Sequence, residues 1–246
     1  MSHLHTLKNK KIVLTVLLLA SLLGFVLQII RNVTGSGLLT VLFAVLFLPV
    51  LGFALLTAAQ FRPRPGFLQN HIPTPAFLVQ LLAAALLLLA SVIHLFLKNE
   101  PSPVLIGLTG IGGAVCMAGF TCFAVIRQRP TVLLYAGLVI SLVCRLIPEF
   151  RSWSISPDLG SYAPQLLALL TMLLSCYHLG CFALDEGHRR TTIVFCMVGV
   201  FFNVASLAAG GVYGILCGLS CTLFLSAALW ELLTLPRRRR RTVSDM

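Results

Sequence analysis

The side chains that could do chemistry in this sequence are concentrated between two strongly apolar segments. They comprise two arginines, two carboxylates and a tyrosine, namely Arg145, Glu149, Arg151, Asp158 and Tyr162. A histidine, His178, follows inside the next apolar segment. A charge surrounded by lipid is costly and marks a candidate functional site, and a histidine titrates close to neutral pH and can relay protons. The residues therefore predict a polar site on the outer side of a membrane, with His178 as a candidate proton relay.

A structural role explains the same residues without a ligand. Arg145 lies near a helix end, so its charge can reach the lipid headgroups, and Trp153 and Tyr162 fit the aromatic belt of a membrane protein. The group would then be a lid or an interfacial anchor, which we favour over a ligand site on sequence alone. If the helix continues past Pro148, Arg145 can also pair with Glu149 four residues later.

Other polar residues also lie inside apolar segments. In an eight-span topology, His94 falls near the outer end of the third span and His178 in the inner half of the sixth. We therefore do not expect the two histidines to bind one metal ion, and the sequence predicts no metal site and no cofactor. Gln80 and Asn203 are expected to hydrogen-bond to neighbouring helices, as isolated polar groups in membrane helices do.

The composition places the chain in a lipid bilayer, which is its first expected partner. Hydrophobic residues make up 58% of the 246 residues and charged residues 10%, whereas a soluble domain contains about 25% charged residues. The net charge of +11 is explained by Lys and Arg at the cytoplasmic ends of membrane spans. We therefore expect no nucleic-acid partner.

Apolar segments of sufficient length predict an all-α bundle of about eight transmembrane helices in a single integral membrane domain. The expected spans are residues 12–30, 38–60, 76–97, 104–126, 131–147, 164–184, 191–209 and 212–235. Pro148 is expected to end the fifth span, and Pro164 is expected in the first turn of the sixth. Because only Gly210 and Gly211 separate the last two spans, these two could instead form a re-entrant pair.

The positive charges predict the orientation of the bundle. With a cytoplasmic N-terminus, the cytoplasmic segments hold all but four of the 18 Lys and Arg residues, which is the asymmetry that orients membrane proteins. Both termini are therefore predicted to be cytoplasmic, in what we expect to be the plasma membrane. Residues 237–246 form a basic tail, in which the five arginines from Arg237 to Arg241 could bind anionic lipid.

Small residues mark two helix faces that favour close packing. Span four is rich in glycine and alanine, and span eight carries Gly214 and Gly218 in a G-x-x-x-G pattern, which favours helix association in lipid. These faces could bind a membrane-protein partner or a second copy of the chain. Cys217 and Cys221 share one face of span eight, where we expect packing rather than metal binding.

A weak repeat relates spans two to four to spans five to seven. The segment from Gln80 to His94 resembles the segment from Gln165 to His178, because each begins Gln-Leu-Leu-Ala and ends Ser-x-x-His. A repeated three-span unit would be inverted in the membrane, as in many secondary transporters. Leucine-rich helices also produce such matches by chance.

Motifs typical of enzymes are absent from the sequence, including the H-E-x-x-H, G-x-S-x-G, P-loop and dinucleotide-binding patterns. We therefore expect a protein that is not an enzyme. Three functions stay open: a small-solute transporter or the membrane component of one, a non-catalytic accessory, scaffold or sensor subunit, and, least favoured, an intramembrane enzyme. We favour the transporter because Pro49, Arg145 and His178 could line a cavity. A dry bundle with a broad exposed apolar face would favour the subunit.

Overall fold

The computed structural model describes residues 2–35, 37–61, 74–96, 103–125, 132–154, 159–184, 186–208 and 211–234. Within these ranges the chain forms eight α-helices, one short 3-10 helix and no strands. The helices are α1 (Ser2–Thr34), α2 (Gly37–Ala59), α3 (Thr74–Phe96), α4 (Pro103–Val125), α5 (Val132–Ser154), α6 (Leu159–Cys181), the 3-10 helix Phe182–Leu184, α7 (Arg189–Ser206) and α8 (Val212–Thr234). The prediction of an all-α bundle of about eight helices is confirmed.

Seven of the eight α-helices are long and apolar enough to cross a bilayer. The exception is α7, which has 18 residues and begins with Arg189 and Arg190. It is surrounded by other helices, and 11 of its 18 residues are buried. Because α7 is enclosed by protein, it needs less apolar surface for lipid contact than the helices around it.

Six of the helices, α3 to α8, form a closed ring. Each packs against the next one in the sequence, and α8 packs against α3 to complete the ring. Outside the ring, α1 and α2 pack against each other and against α7. Phe43 of α2 stacks on Phe201 of α7 with ring centroids 5.5 Å apart. The other sides of α1 and α2 expose mainly large hydrophobic side chains, as contact with a bilayer requires.

Contacts at both ends of α7 and α8 show that these helices are antiparallel. Arg189 at the start of α7 donates to the carbonyl of Leu232 near the end of α8. At the opposite end, Gly218 in the first half of α8 lies against Leu207, just after α7. Both helices therefore extend between the same two ends of the bundle, as full spanning predicts. We name the end at which α8 ends the inner end, and the end at which it begins the outer end.

Two prolines lie deeper inside helices than predicted. The prediction that Pro148 ends the fifth span is wrong, because α5 continues through it to Ser154. The prediction for Pro164 is also wrong, because α6 begins at Leu159 and the proline lies in its second turn. A proline removes one backbone hydrogen bond, but an unwound segment would leave several groups without partners in lipid, so the helix is retained.

Glycines in α4 allow its neighbours to approach closely. A side chain at Gly110 would overlap Ser91 of α3, and Gly113 packs in the same way against α5. The helix is continuous, so the predicted close packing is confirmed. Among the glycines of α4 and α8, only Gly112 and Gly214 have no atom within 4 Å of an added Cβ. Most of the two small-residue faces is therefore already occupied within the chain.

Candidate functional site

Arg145 directs its guanidinium group into the ring of helices. It lies towards the outer end of α5, where its Nε donates to Glu149 Oε1 at 2.6 Å. The guanidinium also lies over the Tyr213 ring of α8, with Cζ 4.9 Å from the ring centroid, and donates to Cys217 Sγ. Only 15% of the Arg145 side chain is exposed. Its charge is therefore compensated by a carboxylate and an aromatic face inside the protein.

The pair of Arg145 and Glu149 depends on the continuation of α5. Residues four apart lie on the same face of a helix, so the pair forms because the helix does not end at Pro148. The sequence predicted this pair on the condition that the helix continues past Pro148, and the structure meets that condition. Glu149 is 14% exposed. In such enclosed surroundings, removal of one partner leaves a charge without compensation, at a cost of about 3–5 kcal/mol.

His94 approaches the same place from α3. It is 1% exposed, and its ring centroid lies 4.2 Å from that of Tyr213, with an angle of 36° between the ring planes. Tyr213 therefore contacts both the imidazole of α3 and the guanidinium of α5. We name Arg145, Glu149, Tyr213, His94 and Cys217 the outer polar cluster.

A small cavity adjoins the outer polar cluster inside the ring. Its volume is about 20 Å³, which is room for about one water molecule. The more polar part of its wall consists of Arg145, Ser141, Tyr213 and Cys217. The rest of the wall is mainly apolar and includes Met117 of α4 and Met172 of α6.

A second polar contact lies at the inner end of the same ring. Gln80 of α3 donates through Nε2 to Glu231 Oε1 of α8 at 3.0 Å, and both residues are buried. Further into the ring, the Ser220 hydroxyl of α8 donates to the Ala83 carbonyl of α3 at 2.7 Å. The predicted bond from Gln80 to a neighbouring helix is thus confirmed, with a carboxyl group as partner. We name Gln80 and Glu231 the inner polar pair.

The other residues predicted for the outer site have different surroundings. Arg151 is exposed in the last turn of α5, where its carbonyl accepts a hydrogen bond from the Ser154 hydroxyl at 2.9 Å. Tyr162 is half-buried on α6 and packs against the core. Asp158 and the side chain of Trp153 lie outside the described part of the chain.

His178 lies far from Arg145 along the bundle. It is half-buried in the inner half of α6, where its ring stacks on Phe195 of α7 with centroids 5.0 Å apart and 14° between the planes. Because His94 lies in the outer polar cluster, the two histidines are at opposite ends, as predicted. Neither His178 nor Pro49 contributes to the wall of the cavity beside Arg145.

Most hydroxyl and amide groups inside the bundle donate hydrogen bonds to backbone carbonyl groups. The Ser91 hydroxyl donates to the Leu87 carbonyl at 2.7 Å. Asn203 donates to the Gly199 carbonyl of its own helix at 2.8 Å and, as predicted, to a neighbouring helix at the Ala168 carbonyl, at 3.5 Å. Within the described ranges, no group of three His, Cys, Asp or Glu side chains could hold a metal ion.

Sequence reasoning missed three residues that the structure brings into these contacts, namely Tyr213, Cys217 and Glu231. Glu231 carried a usable signal, because it is the only acidic residue in span eight and an ionisable group inside a span is a candidate site by default. Tyr213 and Cys217 carried no such signal. Thiols and aromatic rings are ordinary packing groups in apolar helices.

The fold and these contacts define a multi-pass helical membrane protein with ionisable groups enclosed at both ends of one helix ring. Comparison of the chain with protein-family models, with curated proteins and with solved structures finds no match. The geometry of the ring is therefore the basis for assigning a function.

Proposed function

We propose that the protein is a small-solute transporter, or the membrane component of one, with no catalytic activity of its own. The observation that carries the proposal is the position of Arg145, whose guanidinium points into the ring and forms part of a cavity wall. A charge at the centre of a membrane helix costs about 2.5–3.5 kcal/mol by insertion measurements. Arg145 lies near a helix end and could reach the lipid headgroups, but it points into the protein. This orientation favours a binding role.

In this proposal the described conformation is the closed state. The cavity admits about one water molecule, so a solute reaches Arg145 only when helices of the ring separate. The helices that meet at the guanidinium are α5 and α8, and their separation at the outer end would open the cavity. A bound solute would then replace Glu149 as the partner of Arg145.

The chemistry of the outer polar cluster favours a small carboxylate as the solute. A guanidinium group presents a planar set of N–H donors that can bind both oxygens of a carboxylate at once. Tyr213 and His94 add a flat aromatic surface beside it. Organic acids and amino acids are the classes of small solute that carry such a carboxylate.

A thermal-stability screen of the purified protein in lipid nanodiscs tests the proposal. The panel contains small organic acids and amino acids, each with its neutral amide as a control ligand. At least one carboxylate should raise the melting temperature of the wild type and lose this effect with Arg145→Gln. A ligand at a hundred times its Kd adds about 2.7 kcal/mol to the stability of the protein that binds it.

The matched control is Arg151→Gln, because Arg151 is an exposed arginine on the same helix. This variant should respond to the ligand as the wild type does. A ligand identified in the screen is then tested for uptake into liposomes. If no member of the panel binds, or if Arg145→Gln binds as tightly as the wild type, Arg145 is an interfacial anchor and the proposal fails.

The proposed location is the plasma membrane, with both termini in the cytoplasm. The support is the excess of Lys and Arg in alternate connecting segments and in the arginines from Arg237 to Arg241, which lie outside the described residues. We propose that these arginines also bind anionic lipid. Reporter fusions at each terminus test the orientation, and reporters in opposite compartments would contradict it.

A non-catalytic accessory, scaffold or sensor subunit is the second candidate, and the exposure of α1 and α2 favours it. These helices lie outside the ring, and α2 has the smallest buried share of the seven apolar helices, 17% of its most apolar segment. Photo-crosslinking residues at Leu48 and Leu56 of α2, with Leu108 of α4 as a control position, test whether protein or lipid covers this surface. One stoichiometric protein partner at α2 alone, without carboxylate binding, would favour the subunit.

A further inference from the structure

We propose that the inner polar pair is a proton-binding site in the membrane, in which Glu231 carries a proton in the closed conformation. The inference deepens the proposed function and its role in transport rests on it, because a bound proton would then be the ion that drives solute movement. No motif in the sequence assigns a proton site to this position. The support comes from the burial of Glu231, the partner it has and the groups that face it.

Burial excludes water from the carboxyl group of Glu231. The residue is 8% exposed and Gln80 is 0% exposed, and both lie in helices that are long and apolar enough to span a membrane. An ionised carboxylate is stable in such surroundings only beside a compensating positive charge. Among the described residues, the hydrogen-bond partner of Glu231 is a neutral amide, in contrast to Glu149, which is paired with a guanidinium group.

The amide of Gln80 can form two hydrogen bonds with a protonated Glu231 carboxyl group. Its Nε2 donates to Glu231 Oε1, while its own Oε1 is buried and accepts no hydrogen bond from the described residues. A protonated carboxyl has one O–H donor, and an ionised carboxylate has none. A small rotation of the Glu231 carboxyl would direct that O–H at Gln80 Oε1. The result is a two-bond ring between acid and amide that satisfies both groups.

Release of the proton would require a new partner for the ionised Glu231 carboxylate. On α7, Arg189 donates to the carbonyl of Leu232, the next residue along α8. Arg189 is therefore a cation at the same end of α8, and a rearrangement of the inner end could bring it to the ionised Glu231 carboxylate. Release of the proton would exchange a neutral partner on α3 for a charged one on α7.

This exchange involves the same helices that carry the outer polar cluster. Gln80 and His94 both lie on α3, and Glu231 and Tyr213 both lie on α8. A change in the contact between α3 and α8 at the inner end therefore acts on the helices that enclose Arg145 at the outer end. Protonation at one end of the ring can in this way be coupled to the opening of the other.

Infrared spectroscopy of the full-length protein tests the proton directly. The sample is purified in a detergent without ester groups and labelled with ¹³C at the glutamate side-chain carboxyl. The wild type at neutral pH should show the carbonyl stretch of a protonated acid, shifted by the label, and Glu231→Gln should lose this band. Glu186→Gln, at an exposed glutamate, and Glu149→Gln should keep it.

A second variant keeps the test decisive if Glu231→Gln does not fold. Gln80→Met retains the acid but removes its hydrogen-bond partner, so the protonated-acid band should remain and shift to higher frequency. Absence of the band from the wild type, or a band that neither Glu231→Gln nor Gln80→Met affects, overturns the inference. Because no solute is present, this result is independent of whether any carboxylate is transported.

Coupling to transport is read separately from the proton itself. With a carboxylate identified in the nanodisc screen, a pH gradient across liposomes should accelerate uptake by the wild type and not by Glu231→Gln, while exchange without a gradient persists in both. If the pH gradient does not change the rate of uptake by the wild type, coupling to the proton is refuted and the transporter proposal is unaffected. Absence of any uptake, with the acid band present, would refute the transporter and leave the proton site intact.

Discussion

The outer polar cluster and the inner polar pair place ionisable groups at opposite ends of one ring and compensate them in different ways. At the outer end, Arg145 is paired with Glu149 at 2.6 Å and lies over the ring of Tyr213. At the inner end, Glu231 is bound at 3.0 Å by the neutral amide of Gln80. One end therefore holds a pair of opposite charges, whereas the other holds an acid with an uncharged partner.

The difference shows that burial of an ionisable group does not determine its charge. Both partners of a buried charged pair stay ionised if the attraction between them compensates for the hydration that each has lost. An amide supplies only a dipole, which is enough for a neutral acid. The two ends should therefore respond differently when a single carboxyl group is changed to an amide.

The largest expected effect is that of Glu149→Gln, because it leaves Arg145 as an enclosed charge without its partner. We expect a loss of about 3 kcal/mol in the free energy of unfolding, measured by reversible unfolding in mixed micelles. The double variant Arg145→Gln with Glu149→Gln should recover most of this loss, since neither charge remains. A single variant within about 0.5 kcal/mol of the wild type would show an exposed pair of little value, and the contrast between the ends would disappear.

A smaller effect is expected from Gly110→Ala, which tests how tightly the outer end is packed. The added Cβ would overlap Ser91 Oγ, and that hydroxyl is held by its bond to the Leu87 carbonyl. We expect a destabilisation of about 1–3 kcal/mol from overpacking. Gly112→Ala on the same helix meets no atom within 4 Å and should be neutral or stabilising by up to about 1 kcal/mol. Equal stability of the two variants would mean that α3 and α4 separate easily.

The smallest effect is expected from Glu231→Gln. If Glu231 is protonated, the change replaces one neutral hydrogen-bonding group by another of similar shape, so the cost should be below about 1 kcal/mol. The measurement is the same unfolding experiment at neutral pH, with Glu149→Gln as the comparison. A loss as large as that of Glu149→Gln would indicate an ionised Glu231, and the two ends would then be alike.

Much of the fold could be predicted from the sequence, because membrane helices are specified locally. The ends of α2, α3, α4 and α8 agree with the predicted spans to within about two residues. Larger differences between the predicted and observed helix ends occur where a local sequence preference conflicts with the need for a fully hydrogen-bonded backbone in lipid. α5 continues through Pro148, and α6 begins a full turn before Pro164, because a helix in lipid keeps its backbone groups bonded whether or not each residue favours it.

The candidate site could be predicted only where its contacts are short in sequence. The pair of Arg145 and Glu149 is four residues apart and follows once α5 is continuous. The matching segments that begin at Gln80 and Gln165 show the limit of such reasoning. Gln80 is buried against Glu231, whereas Gln165 is half-buried, so similar sequences have different surroundings and the repeat stays a prediction.

The sequence by itself determined that apolar helices cross a bilayer about eight times, and from its charges it predicts which end faces the cytoplasm. Both properties depend on each segment and its solvent, not on its neighbours. Only the tertiary structure decided that Arg145 faces into a ring and that Glu231, 151 residues from Gln80, is the partner of that amide. Helices in lipid associate by close packing and a few polar contacts, so the choice of neighbour depends on shape, which composition does not encode.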